Sequence, residues 1–109
     1  MIDKATFPRD KICGDGIGPD AVAEVIGLRV AEIFVDKVPA NRITLISPKG
    51  RRIEGVAPRA GFVIRRYEFD NALVERALSL GYELVQERVE SIEFGDKGFI
   101  LNDKVPELP

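Results

Sequence analysis

Apolar and polar positions divide this chain into alternating helical and strand-like stretches. Residues 19–28 read as a helix, because Pro19 suits the first helical position and Val22, Val25 and Ile26 share one face. Gly27 weakens its far end, and Val30, Ile33 and Phe34 predict a second short helical turn before Pro39. Over residues 42–55 the period changes to that of strands. Ile43, Leu45 and Ile53 are spaced as in a hairpin, with Ser47-Pro48-Lys49-Gly50 as its turn. Pro58 and Gly61 are expected to break the chain again, before a short strand at Phe62, Val63 and Ile64.

Residues 67–80 carry the clearest helical stripe, in Phe69, Leu73, Ala77 and Leu80, and Gly81 sits where a C′ glycine belongs. Glu68, Asp70 and Glu75 place acid toward the positive N-terminus, with Arg76 nearer the other end. A strand is expected over residues 82–86. A hairpin follows, pairing 89–94 with 98–101 around Gly95-Asp96-Lys97, and residues 105–109, with two prolines, are expected to fray. The whole predicts a mixed α/β chain: strand, helix, strand, helix, strand, with a β-hairpin inserted at residues 41–57 and a β-meander at the end.

Composition narrows the function classes. At 109 residues the chain is one domain at most, and 45% hydrophobic content is ordinary for a folded soluble protein. The 16 basic and 18 acidic residues are interspersed, so no basic block marks a nucleic-acid surface. The absence of histidine removes the commonest general base and most zinc sites. One cysteine allows no internal disulfide, and no apolar run reaches the length of a membrane span. A cytoplasmic location is expected.

The candidate chemistry gathers in residues 7–19, where Cys13 lies among Gly14, Gly16 and Gly18, with Arg9, Asp10, Lys11 and Asp15 close by. The spacing is not that of a dinucleotide fingerprint, since Pro19 occupies the place of the third glycine, and no Gly-Lys-Ser or Gly-Lys-Thr makes a P-loop. Two readings stay open. The glycines let backbone N–H groups approach a ligand at the N-terminus of the first helix, or they form a turn that caps it. Arg9, Lys11 and that helix terminus would lower the Cys13 pKa, yet no histidine exists to serve a thiol nucleophile. Arg65 and Arg66 precede the second helix, a poor place for cations on dipole grounds. Either they pair with Glu68 and Asp70, or one of them reaches an anionic or aromatic group elsewhere.

The run from Asp3 to Gly16, Asp-Lys-Ala-Thr-Phe-Pro-Arg-Asp-Lys-Ile-Cys-Gly-Asp-Gly, resembles the geranylgeranyl reductase family of FAD-dependent oxidoreductases. These share the larger p-hydroxybenzoate hydroxylase-type fold. The run from Gly61 to Leu73 resembles the family's second signature, an arginine three residues before an apolar-Asp pair, and the stretch from Leu45 to Arg51 looks like the hairpin of its substrate-side sheet. The resemblance implies a partial FAD-binding, Rossmann-like three-layer α/β fold, one domain over residues 1–109. It implies that Asp3 accepts bonds from the adenosine ribose, and that Arg9 and Lys11 face the cofactor. Cys13, Gly14, Asp15 and Gly16 would then line the flavin, with Arg66 reaching back toward FAD. The implied chemistry is hydride transfer through flavin, on an isoprenoid-like substrate.

The family's strand, G-x-G-x-x-G turn and helix lie ahead of the position of Asp3, where this chain has Met1 and Ile2, and its later flavin motif falls beyond Pro109. The chain is therefore expected to be an internal slice, inactive alone: either a fragment of a longer enzyme or one piece of a split enzyme, with the remaining FAD-binding segments on a neighbouring chain. A non-catalytic binding module on the same scaffold is the alternative.

Overall fold

A computed structural model describes residues 1–102, so the fraying expected of 105–109 lies outside the described residues. Strands β1 (Ile2–Asp3) and β2 (Gly16–Ile17) precede helix α1 (Pro19–Gly27) and a single 3-10 turn, Ala31–Phe34. Strands β3 (Ala40–Ile46) and β4 (Arg52–Val63) lead into helix α2 (Arg66–Ser79). Three short strands end the described chain, β5 (Val85–Gln86), β6 (Ile92–Gly95) and β7 (Gly98–Leu101). They form three small sheets: β1 parallel to β5, the antiparallel order β2-β4-β3, and the hairpin β6-β7. The predicted terminal meander is thus a two-stranded hairpin among the described residues.

Both helices begin and end near their predicted limits. Pro19 opens α1 behind Gly18, and α2 has Glu68 in its first turn and Arg76 in its last, the polarity that the helix dipole favours. Gly81, at φ 92°, follows the α2 C-cap as a residue without a Cβ can. The Ser47–Gly50 turn also forms: the Gly50 N–H donates to the Ser47 carbonyl, and the Ser47 hydroxyl accepts from the Arg51 N–H.

The break expected at Pro58 and Gly61 does not occur, because β4 runs through both. Its pairing with β3 shifts register between Arg42↔Val56 and Ala40↔Gly61, and Pro58 falls in that irregularity, where no ladder N–H is required. Beyond it, β4 changes partner and pairs with β2 through Gly16↔Val63 and Ile17↔Phe62. Gly61 stands at this exchange. A Cβ there would lie 2.5 Å from the Ile17 carbonyl oxygen, so the crossing requires glycine.

The core is small. Val25 from α1, Val30, Ile33 from the 3-10 turn, and Ile64 after β4 are buried; Ile17, Phe34, Phe62, Phe69, Ala72 and Leu73 pack around them. The rings of Phe34 and Phe62 lie 4.7 Å apart, centre to centre. Two residues of the predicted helical stripes miss this core: Ile26 and Leu80 are more than half exposed. Each sits at the far end of its helix, beyond the reach of the packed layer.

Much apolar surface is left bare. Ile43, Leu45 and Ile53 share one face of the β3-β4 hairpin by register, and all three are exposed. The radius of gyration is 18.9 Å, against about 13 Å for a compact domain of this length. Among the described residues, no helix is long and apolar enough to cross a membrane.

Candidate functional site

The loop from Arg9 to Asp15 has no regular structure, and its course is set by where it is tied. Asp15 adopts φ 59°, a left-handed conformation that aspartate tolerates better than most residues. Its carbonyl accepts the Ile64 N–H at 3.0 Å, which fastens the loop to the chain just ahead of α2. The glycine-cysteine loop therefore lies against the first turn of α2.

Asp70 ties the two together. Its Oδ2 accepts from Arg9 Nη1 at 2.7 Å, and its Oδ1 accepts from Arg66 Nε at 2.7 Å. Burial alone would push the Asp70 carboxyl up, but the Arg66 and Arg9 guanidiniums outweigh it and hold the group below its ordinary range. Arg66 is correspondingly held more firmly protonated, first by Asp70 and then by Cys13. Arg65 turns away to Asp10, 3.2 Å from Nη2, and lies over the Tyr67 ring, while Glu68 pairs with Lys37 instead. Of the two sequence readings for these arginines, the i,i+4 pair holds for Arg66 with Asp70. Arg65 is the one that leaves the helix. The Arg9 guanidinium also stacks on Phe7, with Cζ 4.7 Å from the ring centre.

Cys13 is exposed at the edge of this network, and its thiol pKa is lowered. The main cause is a hydrogen bond from the Asp15 backbone, followed by one from the Arg66 side chain. The expected direction is met by different groups. Arg9 is turned to Asp70, and the cation beside the sulfur is Arg66, carried there by the start of α2. Lys11 and Gly14 are exposed on the same loop, and Gly16 leaves it to join β2.

Asp3 stands apart from that network. It ends β1, beside the parallel strand β5, and lines an open cleft of about 610 Å³ with Ile2, Lys4 and residues 87–90. This is the carboxyl end of a parallel strand pair, the edge at which open α/β sheets receive ligands. Asp3 Oδ1 accepts the Ala5 N–H at 2.8 Å, and a carboxylate retains further lone pairs for a hydroxyl. A second, mostly apolar cavity of about 330 Å³ lies between β2, the start of α1 and the β3-β4 sheet. Gly16, Gly18, Phe62 and Val63 line it, with Arg59 at its rim, bonded to Asp20.

The structure thus gathers Arg9, Cys13, Asp15 and Arg66, and leaves Asp3 in a cleft of its own. Sequence reasoning did not foresee Asp70 as the joint between two segments, nor residues 87–90 as the wall opposite Asp3. The Arg66–Asp70 half of that joint was legible from its spacing. The Arg9 half spans 61 positions and leaves no local trace. Among the described residues, no group of acidic and cysteine side chains could hold a metal ion.

No family model matches the chain. It is 36% identical over 90 residues to a menaquinone reductase of Mycobacterium tuberculosis, a match covering 78% of this chain and 22% of that protein. A shorter match, 58% identical over 31 residues, is to the menaquinone reductase of Mycolicibacterium smegmatis, and covers 28% of this chain and 8% of that one. The chain therefore spans about a fifth of the length of the first of these relatives. Among solved structures, the flavin-dependent brominase Bmp2 superposes over 91% of this chain and 25% of its own, with a TM-score of 0.74 and 20% identity. The fold is thus a partial Rossmann-like α/β domain, shared with a segment of that flavin-dependent brominase. These likenesses do not single out the geranylgeranyl reductases.

Proposed function

We propose that this chain is the flavin-side segment of an FAD-dependent reductase of the geranylgeranyl reductase type, acting on an isoprenoid-bearing substrate. One observation carries the reading. The two stretches that resemble the family's signatures, far apart in sequence, are locked together through Arg9, Asp70, Arg66 and Cys13. The relatives' name supports the substrate class, because menaquinone is a quinone bearing an isoprenoid tail.

The residues present suit the cofactor. Gly14, Gly16 and Gly18 have open space where a Cβ would stand, so a flat ligand can approach the backbone there. Asp3 keeps acceptor capacity for a ribose hydroxyl at the end of β1. FAD, when bound, supplies the hydride chemistry. On this reading Asp3 orients the adenosine half, the loop from Arg9 to Gly16 lies along the flavin, and Lys11 adds positive charge. Arg66, fixed by Asp70, presents a permanent cation beside the Cys13 sulfur, a preorganised field that stabilises negative charge developing at that edge.

The open cleft, the small core and the bare hairpin face favour this reading over a self-sufficient binding module. On this reading the chain alone holds FAD weakly and reduces nothing, and further segments of the enzyme cover the bare surface. The test is a chimera in which residues 1–102 replace the matching fifth of the M. tuberculosis menaquinone reductase. A yellow protein that reduces menaquinone, and loses both properties on Arg66→Ala, is the expected result. A folded chimera without flavin would overturn the reading.

A further inference from the structure

The last described residue, Asn102, lies beyond β7 in sequence, yet its side chain is engaged with the wall of the Asp3 cleft. Its Oδ1 accepts from the Glu90 N–H at 2.7 Å and from the Ser91 N–H at 3.2 Å. Its Nδ2 donates to the Arg88 carbonyl at 2.7 Å and to Glu87 Oε1 at 3.2 Å. The Asn102 N–H donates to the Ser91 carbonyl at 3.1 Å. A side-chain amide offers two donor hydrogens and two acceptor lone pairs, and all four serve one segment.

That segment, residues 87–91, has neither helix nor strand to hold it. At its near end the Glu87 N–H donates to the Asp3 carbonyl at 3.0 Å, and over the rest Asn102 supplies the bonds that a sheet ladder would otherwise make. Residues 87–90 face Ile2, Asp3 and Lys4 across the cleft, so Asn102 sets its width without lining it. Asn102 itself sits at φ 52°, where asparagine is one of the few residues at ease.

We propose that Asn102 is the positioning residue of this cleft, holding the 87–91 wall at the distance from Asp3 that seats an adenosine. The identity of the ligand rests on the FAD reading above; the role of Asn102 rests on its hydrogen bonds. A wall held in place before binding need not be ordered at the moment of binding, and that ordering is a cost to affinity.

The test is a titration of the whole chain with adenosine at millimolar concentration, followed by amide NMR shifts. Saturable shifts at Lys4 and Val89 are expected in the wild type. Asn102→Gly keeps the left-handed backbone without strain and removes the side chain. It should weaken binding roughly tenfold, the worth of about one net hydrogen bond, while the Val25 and Ile64 amides stay in place. Asn102→Asp keeps both acceptor bonds but turns a carboxylate oxygen toward the Arg88 carbonyl and the Glu87 carboxylate. It should therefore weaken binding at neutral pH and regain affinity as acid protonates it, a dependence that a loss of fold would not give. Equal binding by wild type and Asn102→Gly would overturn the positioning role and leave the cleft intact as an adenosine site. A wild type without shifts at Lys4 or Val89 would overturn the adenosine site and this inference with it. Loss of the core amides in both variants would show Asn102 to be structural only, and would also overturn it.

Discussion

Arg9 and Asp70 stand 61 residues apart in the chain and 2.7 Å apart in space. The same carboxylate holds Arg66 from its other oxygen, so one acidic group ties the glycine-cysteine loop to the helix that follows β4. The Asp70 side chain is only 12% exposed, which protects both bonds from water.

Replacing Asp70 with asparagine should therefore loosen the loop as well as the helix start. We expect a loss of about 1–2 kcal/mol in urea unfolding, between the worth of a surface pair and that of a fully buried one. The pH dependence has a definite sign. The folded-state pKa of Asp70 is depressed, so its contribution is complete above the ordinary aspartate range and is lost as pH falls through the folded value. The gap in stability between wild type and Asp70→Asn should close on acidification; a gap that persists or widens in acid would contradict this.

Cys13 should react faster with a disulfide reagent at neutral pH than an ordinary cysteine, because its lowered pKa raises the thiolate fraction. Arg66→Gln removes the second of the two lowering causes and should move the pH–rate profile to higher pH. Arg9→Gln, at a residue bonded to Asp70, should move it much less. Equal shifts in both variants would show that general positive charge, and not the Arg66 contact, governs the thiol.

Two glycines should respond with opposite signs. A Cβ on Gly61 would meet backbone, the Ile17 carbonyl, so Gly61→Ala should cost about 1–3 kcal/mol and weaken the β2-β4 pairing. Gly27 lies in α1 with open space around it, so Gly27→Ala should stabilise by roughly 0.5–1 kcal/mol. Thermal midpoints of the two variants should move in opposite directions from the wild type.

Ile43, Leu45 and Ile53 present an apolar face on a hairpin whose outer strand, β3, is a sheet edge. Such a surface associates unless it is covered. Light scattering should show the isolated chain self-associating as its concentration rises, and the double variant Leu45→Thr, Ile53→Thr should suppress it. Scattering that is unchanged in the variant would place the sticky surface elsewhere.

Local chemistry was readable wherever a short segment determines its own state. Pro19 and Gly81 bounded two helices, and the Ser47–Gly50 turn placed the hairpin, because each acts through φ and through hydrogen bonds a few residues away. The error at Pro58 arose from the same locality. Proline does end a regular ladder, but whether a strand continues beyond it depends on the register of its partner, and β3 shifts register there.

Sequence alone thus determined both helices, the hairpin turn, the mixed α/β class and the stretches in which chemistry is concentrated. It also placed Asp3, Arg9, Lys11, Cys13 and Arg66 as residues to examine. Tertiary structure decided which of them meet. Arg66, not Arg9 or Lys11, stands beside Cys13, Asp70 is the joint between two distant segments, and Asp3 faces a wall held by Asn102. The physical reason is range: helix and turn preferences act over a few residues, whereas a carboxylate or an amide chooses among every partner that the fold brings within about 3 Å.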